Sequence, residues 1–153
     1  MANTYTQLYI QFIFAVQNRR DLIRPQWEPA LHKYITGIVQ NKSHKMIAIN
    51  GMPDHLHMFI GYRPAESFAE LMKVVKGESS KWITDHGFVK GRFRWQEGYG
   101  AFSYSCSHID RVYHYVMNQK KHHQRKSFRE EYLELLDKYG VDYDERFIFK
   151  KVI

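Results

Sequence analysis

Apolar residues alternate with other residues along the first part of the chain, at Leu8, Ile10, Phe12, Phe14 and Val16. A period of two is typical of a strand with one strongly buried face. Strand-like segments also occur at 45–50 and 55–62, joined by the turn-forming sequence NGMPD, and at 101–107. We therefore predict four strands, of which the middle two form a hairpin.

Between these strands the apolar residues recur at every third or fourth position, which predicts helices. The first such segment lies within 24–42 and has two early prolines, which suit a helix start. The second covers 67–87, where Ser67 and Glu70 have the spacing of a capping box. Each predicted helix connects two predicted strands.

The C-terminal third of the chain reads as mostly helical. Ser107 and Asp110 predict the start of a helix that runs to about Arg125, and 127–140 predicts a last helix. The pattern of 141–153 does not distinguish between a strand, an arm and a frayed end.

The predicted order βαββαβ followed by helices is that of an α+β, ferredoxin-like (split βαβ) fold. Such a fold has an antiparallel sheet with two helices on one face, and we expect the other face to be free for ligands or a partner. The length of 153 residues suits one domain. We expect residues 1–153 to form it, with a core at about 4–125 and a C-terminal helix and tail at about 127–153.

The charge of the chain indicates the class of its partner. The formal net charge is +7, which favours an anionic partner such as nucleic acid or an acidic membrane surface. Cys106 is the only cysteine, which excludes an intrachain disulfide and a cysteine-built zinc site and suits a reducing cytoplasm. The apolar segment near the N-terminus is too short to span a bilayer, so we expect a cytoplasmic protein without a membrane partner.

Two histidines, His55 and His57, lie two positions apart in the third predicted strand. On a strand they point to the same side, opposite to Leu56, Met58 and Ile60. Two neutral imidazoles in this arrangement can chelate one divalent ion. A histidine pair alone is more often a structural or surface feature, so a metal site needs a third ligand.

The helix predicted after Ser107 carries a candidate nucleophile, Tyr115. At roughly 100° per residue, one stripe of this helix should face the core: Ile109, Val112, Tyr113 and Val116. Tyr115 should lie on another face with Gln119 and His122, so Tyr113 is predicted to pack and Tyr115 to be presented. From these residues alone, Tyr115 is either a surface tyrosine bonded to Gln119 or a nucleophile beside a metal ligand.

Three motifs in order resemble the single-tyrosine HUH transposases of the IS200/IS605 type, including the related REP-associated tyrosine transposases. The motifs are HLH at 55–57, WQEGYGAFSYS at 95–105 and YVMNQ at 115–119. The resemblance implies that His55, His57 and Gln119 bind Mg²⁺ or Mn²⁺. It also implies that Tyr115 attacks single-stranded DNA to form a covalent 5′-phosphotyrosine, at hairpins that mark the ends of an element.

The resemblance further implies a homodimer, in which the tyrosine helix of one subunit can complete the histidine site of the other. Leu56, the middle residue of the histidine motif, fits the family pattern. Tyr104 stands where the family usually has valine. A domesticated relative of the family carries the same motifs.

Basic residues flank these motifs and are candidates for holding DNA phosphates: Arg92, Arg94, Lys120, Lys121 and Arg125. Trp95, Tyr99 or Phe102 could stack on unpaired bases. The alternative is a solvated basic face with aromatic residues in the core. We assign His122 and His123 to the basic end of the helix rather than to the metal site.

Two other functions remain open at this point. The chain could be a non-catalytic module that binds single-stranded nucleic acid on its sheet. It could also be a metal-dependent nuclease that uses water as the nucleophile, so that Tyr115 is incidental.

Overall fold

The computed structural model describes residues 4–124 and 126–144. Its four strands are β1 (Tyr9–Ala15), β2 (Lys45–Met52), β3 (His55–Gly61) and β4 (Gly100–Tyr104). Its α-helices are α1 (Glu28–Asn41), α2 (Phe68–Asp85), α3 (Ile109–Met117), α4 (Gln119–His122) and α5 (Phe128–Lys138).

The strands form one antiparallel sheet in the order β2-β3-β1-β4. With α1 between β1 and β2 and α2 between β3 and β4, this confirms the predicted ferredoxin-like fold. The β2–β3 hairpin depends on Gly51, where a Cβ would lie 2.2 Å from the carbonyl oxygen of His55. A side chain at this position would push the two strands apart.

The face of the sheet that carries α1 and α2 has an apolar core. Alternate residues of β1 and β3 point into it and are buried: Ile10, Phe12, Phe14, Leu56, Met58 and Ile60. The start of α2 is capped as predicted, since Ser67 Oγ accepts a hydrogen bond from the backbone N–H of Glu70 at 3.1 Å. We call this side of the sheet the apolar face.

The opposite face of the sheet is not free, so that part of the prediction is wrong. Helix α3 packs Val112 and Val116 against Phe59 of β3. Helix α5 covers β1 and β4 with apolar side chains that contact Ile13 and Phe102, namely Phe128, Tyr132 and Leu136. Because these strand residues are apolar, leaving this face open would expose them to water. We call this side the polar face, for the cluster described below.

The helix predicted from Ser107 to Arg125 is interrupted. Asn118 separates α3 from α4, and α3 begins after His108 rather than at a cap formed by Ser107. The Ser107 hydroxyl instead hydrogen-bonds to the hydroxyl of Ser105 at 2.8 Å. Gln119, the first residue after this interruption, is buried.

Part of the C-terminal prediction lies outside the described residues. Residues 141–144 have no regular secondary structure, while Arg125 and 145–153 are not among those described. The last helix is capped by Ser127, whose Oγ accepts from the backbone N–H of Glu130. Within the part of the chain that the structure describes, no helix is both long and apolar enough to cross a membrane.

Candidate active site

Strand β3 places His55 and His57 on the polar face, with Leu56 between them on the apolar face. This is the alternation that the sequence predicts. Both histidines have 0% exposed surface, because α4 and α5 lie over them. They therefore line an enclosed site rather than an open surface.

One ring nitrogen of each of these histidines is held by a side-chain acceptor. Nδ1 of His55 lies 2.6 Å from Oδ1 of Asp54, and Nδ1 of His57 lies 2.7 Å from Oε1 of Gln11. An N–H donated from Nδ1 to a carboxylate or amide oxygen orients the ring and directs Nε2 into the site. Such outer hydrogen bonds are typical of histidines that ligate metals.

Gln119 begins α4 and is completely buried. Its Oε1 lies 3.4 Å from Nε2 of His55. The structure therefore brings together the three residues that the resemblance assigns to the metal, from β3 and from a helix more than sixty residues later.

Tyr115 lies on α3, and its ring centroid is 5.8 Å from that of His57. Its hydroxyl donates a hydrogen bond to Oε2 of Glu131. Tyr113 is 38% exposed, so the prediction that it packs in the core is wrong. Val112 and Val116 are the buried residues of this helix, and Tyr115 packs beside them with its hydroxyl in the site.

Glu131, on α5, is a central residue that the sequence reasoning missed. It is 2% exposed, and its Oε1 lies 3.2 Å from Nε2 of His57. The signal was present but weak: Glu131 occupies a position in the apolar stripe of α5 between Phe128 and Tyr132. A carboxylate within such a stripe is buried only when other groups bind it.

His123 also points into the site, four residues after Gln119. Its Nε2 lies 3.0 Å from Oε1 of Glu131 and 2.9 Å from Oε1 of Gln119. His122 lies at the margin of the same group, with its Nε2 3.3 Å from Oε2 of Glu131. The assignment of both residues to a DNA-facing helix end does not describe their positions.

The charges of the site are set by this close packing. Burial by itself would raise the pKa of Glu131, but hydrogen bonds with His123 and His57 hold that pKa well below its usual range. Burial raises the pKa of the Tyr115 phenol above its usual value, and the charge of Glu131 raises it further. Glu131 is therefore ionised and Tyr115 protonated at neutral pH.

The predicted DNA-binding residues are separated into two groups. Arg92 and Arg94 are exposed and line a groove of about 1040 Å³ between α2 and residues 92–99. Lys120 instead forms an ion pair with Glu28 at 2.8 Å, whereas Lys121 is exposed. Arg125 lies outside the described residues.

The aromatic residues proposed to stack on bases are mostly in the interior. Trp95 and Phe102 are 7% and 4% exposed, and Trp95 donates its indole N–H to Ser79. They belong to the apolar core and to the packing of α5, respectively. Tyr99 is half-buried beside the groove, so it alone retains an accessible ring.

The donor atoms fit the divalent ion that the resemblance implies. His55 and His57 each direct Nε2 into the site, where a neutral imidazole offers a lone pair, and Gln119 presents a carbonyl oxygen 3.4 Å from Nε2 of His55. A neutral set of nitrogen and oxygen donors suits Mn²⁺ and is acceptable to Mg²⁺. The group that could hold an ion among the described residues also includes His123 and Glu131.

Comparison with solved structures supports the fold. A candidate transposase from Deinococcus radiodurans R1 superposes with a TM-score of 0.61 at 19% identity, over 78% of this chain and 95% of that chain. A REP-associated tyrosine transposase bound to a REP hairpin superposes with a TM-score of 0.57 at 13% identity, over 77% of this chain and 70% of that chain. No curated protein matches the sequence significantly.

The family follows from the sequence match. The family described as "Transposase IS200 like" matches residues 4–119, a span that begins before β1 and ends at Gln119. It includes the histidine pair, the tyrosine and the glutamine whose positions are described above. The chain belongs to the IS200-like transposase family.

Proposed function

We propose that this protein is a metal-dependent transposase that cleaves and rejoins single-stranded DNA through a covalent bond to Tyr115. The observation that carries the proposal is the position of Tyr115, whose ring lies 5.8 Å from the ring of His57 in the same chain. A phenol beside paired histidines provides a nucleophile next to the groups that would hold the metal.

This position supports a site assembled within one chain. Tyr115 and Gln119 already reach the histidines of their own β3, so the site needs no residue from a second copy. The homodimer implied by the resemblance remains a prediction about assembly.

His55, His57 and Gln119 would hold the divalent ion, which when bound neutralises the charge of the scissile phosphate and polarises its phosphorus. Asp54 and Gln11 orient the two imidazoles through their Nδ1 atoms. This second set of bonds keeps both Nε2 atoms directed at the site while DNA enters and leaves.

The Tyr115 oxygen would attack the phosphorus, and the bond from phosphorus to the 3′ oxygen would break. The products are a 5′-phosphotyrosine and a free 3′-OH, whose proton balances the one that Tyr115 loses. The phenolic proton has an acceptor in place, because the Tyr115 hydroxyl already donates to Glu131. Since the covalent bond retains the energy of the cleaved linkage, attack by a 3′-OH can rejoin strands without ATP.

Hairpin DNA is the substrate that the family and one solved relative suggest, since that relative is bound to a REP hairpin. In this protein the groove beside α2 supports such an interaction. Basic residues outnumber acidic ones along it, with Lys73, Lys76, Lys81, Arg92 and Arg94 against Asp85 and Glu97. We propose that this groove holds the phosphates of a hairpin stem.

A covalent-adduct assay tests the proposal. The protein is incubated with a labelled single-stranded hairpin substrate and Mn²⁺ or Mg²⁺, and the products are separated on a denaturing gel. The wild type should give a protein–DNA adduct that Tyr115→Phe abolishes while DNA binding is retained. Tyr113→Phe is the matched control, because Tyr113 lies on the same helix and is exposed.

The other outcomes identify the competing functions. Cleavage without an adduct would indicate a nuclease that uses water, with Tyr115 incidental. Binding without cleavage would indicate a non-catalytic module or an inactive, domesticated relative. Loss of the adduct in Tyr113→Phe rather than in Tyr115→Phe would contradict the assignment of the nucleophile.

A further inference from the structure

The segment WQEGYG at 95–100 is part of a motif that the chain shares with its family, yet the proposed reaction assigns no role to it. In the structure, residues 94–99 form one wall of the groove beside α2. Trp95 pairs with Val16 in an isolated bridge, and Gly100 begins β4. Residues 96–99 between them belong to no helix or strand, so other contacts must hold them in place.

Two side chains of α2 hold one side of this segment. Nζ of Lys76 donates to the backbone carbonyl oxygens of Gln96 and Gly98, at 2.9 Å and 2.5 Å. Oγ of Ser79 accepts the indole N–H of Trp95 at 2.9 Å in a buried hydrogen bond. Lys76 and Ser79 are three positions apart, so they lie on the same face of the helix. Helix α2 therefore binds the segment through three hydrogen bonds.

The other side of the segment is bound to the end of β1 and to the turn that follows it. The backbone N–H of Gln96 donates to the carbonyl oxygen of Ala15 at 2.7 Å, and the N–H of Gln17 donates to that of Arg94 at 3.1 Å. Oε1 of Gln96 accepts from the backbone N–H of Asn18 at 3.0 Å. The segment thus connects α2 to the turn at 17–19.

This turn lies between the groove and the histidine site. Asn18 lines the groove, and the next residue, Arg19, lines a cavity of about 450 Å³ together with Asp54 and His123. Asn18 and Arg19 both have positive φ, 57° and 51°, which is uncommon for residues other than glycine. Such a backbone persists only where surrounding contacts support it, and the side chain of Gln96 supplies one of them.

The ammonium group of Lys76 is occupied by these contacts. Two of its three N–H donors bind the carbonyl oxygens of Gln96 and Gly98, and Nζ also lies 6.0 Å from the ring centroid of Tyr99. Burial lowers the pKa of Lys76 to about 8. Lys73, one turn earlier, lines the same groove and is exposed, so it can turn towards a phosphate. Lys76 would first have to break both hydrogen bonds.

We propose that Lys76 is a positioning residue for DNA in the groove. It fixes residues 96–98 between α2 and the turn at 17–19, so that the wall of the groove has one arrangement before DNA binds, and it does not itself neutralise a phosphate. This inference rests on the proposed function, because it requires that the groove binds a hairpin. It gives the WQEGYG segment a role that is separate from metal binding and from Tyr115.

Hairpin affinity measured over a range of salt concentrations distinguishes a positioning lysine from one that binds a phosphate. Lys76→Met should weaken binding about tenfold, because the segment must then be ordered at the expense of the binding energy. The slope of log affinity against log salt should not change. Lys73→Met removes the same charge from the same groove and is the matched control. It should lower that slope by about 0.9, as expected for one lost phosphate contact.

A second variant disturbs the segment without removing a charge. Gly98 has a φ of +87°, where an added Cβ is strained although it meets no atom. Gly98→Ala should therefore weaken hairpin binding with an unchanged slope, as Lys76→Met does. Gly87→Ala is its control, because Gly87 also has a positive φ, of 66°, and open space around a Cβ but does not line the groove.

Cleavage by a glutamyl endopeptidase tests the positioning without DNA. Glu97 is exposed and lies between the two residues whose carbonyl groups bind Lys76. Cleavage after Glu97 should be about tenfold faster in Lys76→Met and in Gly98→Ala than in the wild type, because local opening of the segment exposes the peptide bond. Lys73→Met and Gly87→Ala should be cleaved at the wild-type rate.

Two results would overturn the proposal. One is a slope that falls by about 0.9 in Lys76→Met while cleavage after Glu97 is unchanged, which would show that Lys76 binds a phosphate. The other is an unchanged hairpin affinity in Lys76→Met. If that variant does not fold, Gly98→Ala decides by the same measurements. If the wild type binds no hairpin at any salt concentration, the proposed function fails instead, and the cleavage rates still show whether Lys76 holds the segment.

Discussion

The two faces of the sheet are built in opposite ways. On the apolar face, α1 and α2 enclose alternate residues of β1 and β3 in a continuous hydrophobic core. On the polar face, α3 and α5 make two smaller apolar contacts, and the space between them holds His55, His57, Gln119 and Glu131, all buried. The same two strands supply both faces.

The two faces of the sheet therefore have different roles: the apolar face provides stability, and the polar face carries the groups of the proposed chemistry. Apolar burial gains free energy roughly in proportion to area and needs no particular partner. A buried polar group avoids a penalty only if every neighbour is in place. The apolar face can therefore hold the polar face in position for the proposed chemistry.

The largest expected effect comes from the apolar face, at Leu56. This residue lies between the two histidines on β3 but is directed to the core and has no exposed surface. Leu56→Ala should lower the free energy of unfolding by about 2–5 kcal/mol, because it leaves a cavity. Denaturant unfolding measures this change. A decrease smaller than that of the next variant would contradict the comparison of the two faces.

On the polar face we expect a smaller loss of stability and a larger loss of metal affinity. Gln11 is buried, accepts from Nδ1 of His57 and donates to the hydroxyl of Tyr104. Gln11→Ala should cost about 1–3 kcal/mol, since it leaves those partners unsatisfied, and it should weaken metal binding about 10–100-fold. Gln40→Ala, at an exposed position of α1, is the control for both measurements.

Variants of the groove beside α2 test whether DNA is held there while the proposed chemistry occurs on the polar face. Arg92→Ala combined with Arg94→Ala should weaken hairpin binding at every salt concentration. The slope of log affinity against log salt should fall by about 0.9 for each DNA phosphate that the protein no longer neutralises. Lys120→Ala should change the slope less, because Lys120 pairs with Glu28. An equal change would place the DNA along α4 instead.

The smallest expected effect is a dependence on pH at the edge of the apolar face. Burial would raise the pKa of Glu66, but hydrogen bonds from His44 and Lys42 hold it below the usual value of 4.5. As the pH falls, the Glu66 carboxylate therefore takes up its proton at a higher pH in the unfolded chain than in the folded protein. The stabilisation present above about pH 4.5 is lost below it.

Urea unfolding of the wild type and of Glu66→Gln between about pH 6 and pH 3 measures this dependence. The wild type should be more stable by about 1 kcal/mol or less at the higher pH, since the pair with Lys42 is partly exposed. The difference should shrink as the pH falls. A difference that grows towards acid would contradict the sign.

Much of the fold could be predicted from local patterns. Alternation identified β1 and β3, and the cap formed by Ser67 and Glu70 marked the start of α2. The same reasoning failed at Ser107 and Tyr113, where a capping spacing and a helical stripe had no matching tertiary contact. A local pattern states which residues can be buried, and packing decides which of them are.

The sequence by itself determined the sheet, the two helices of the apolar face and the direction of His55 and His57, because a period of two or of 3.6 follows from backbone geometry. Only the tertiary structure decided that α5 would cover the polar face and bring Glu131 to His57, 74 residues away. No periodicity connects two such residues, and their contact depends on how several helices pack on one sheet. The family motifs named the histidines, the tyrosine and the glutamine, while the carboxylate that joins them was decided by the fold.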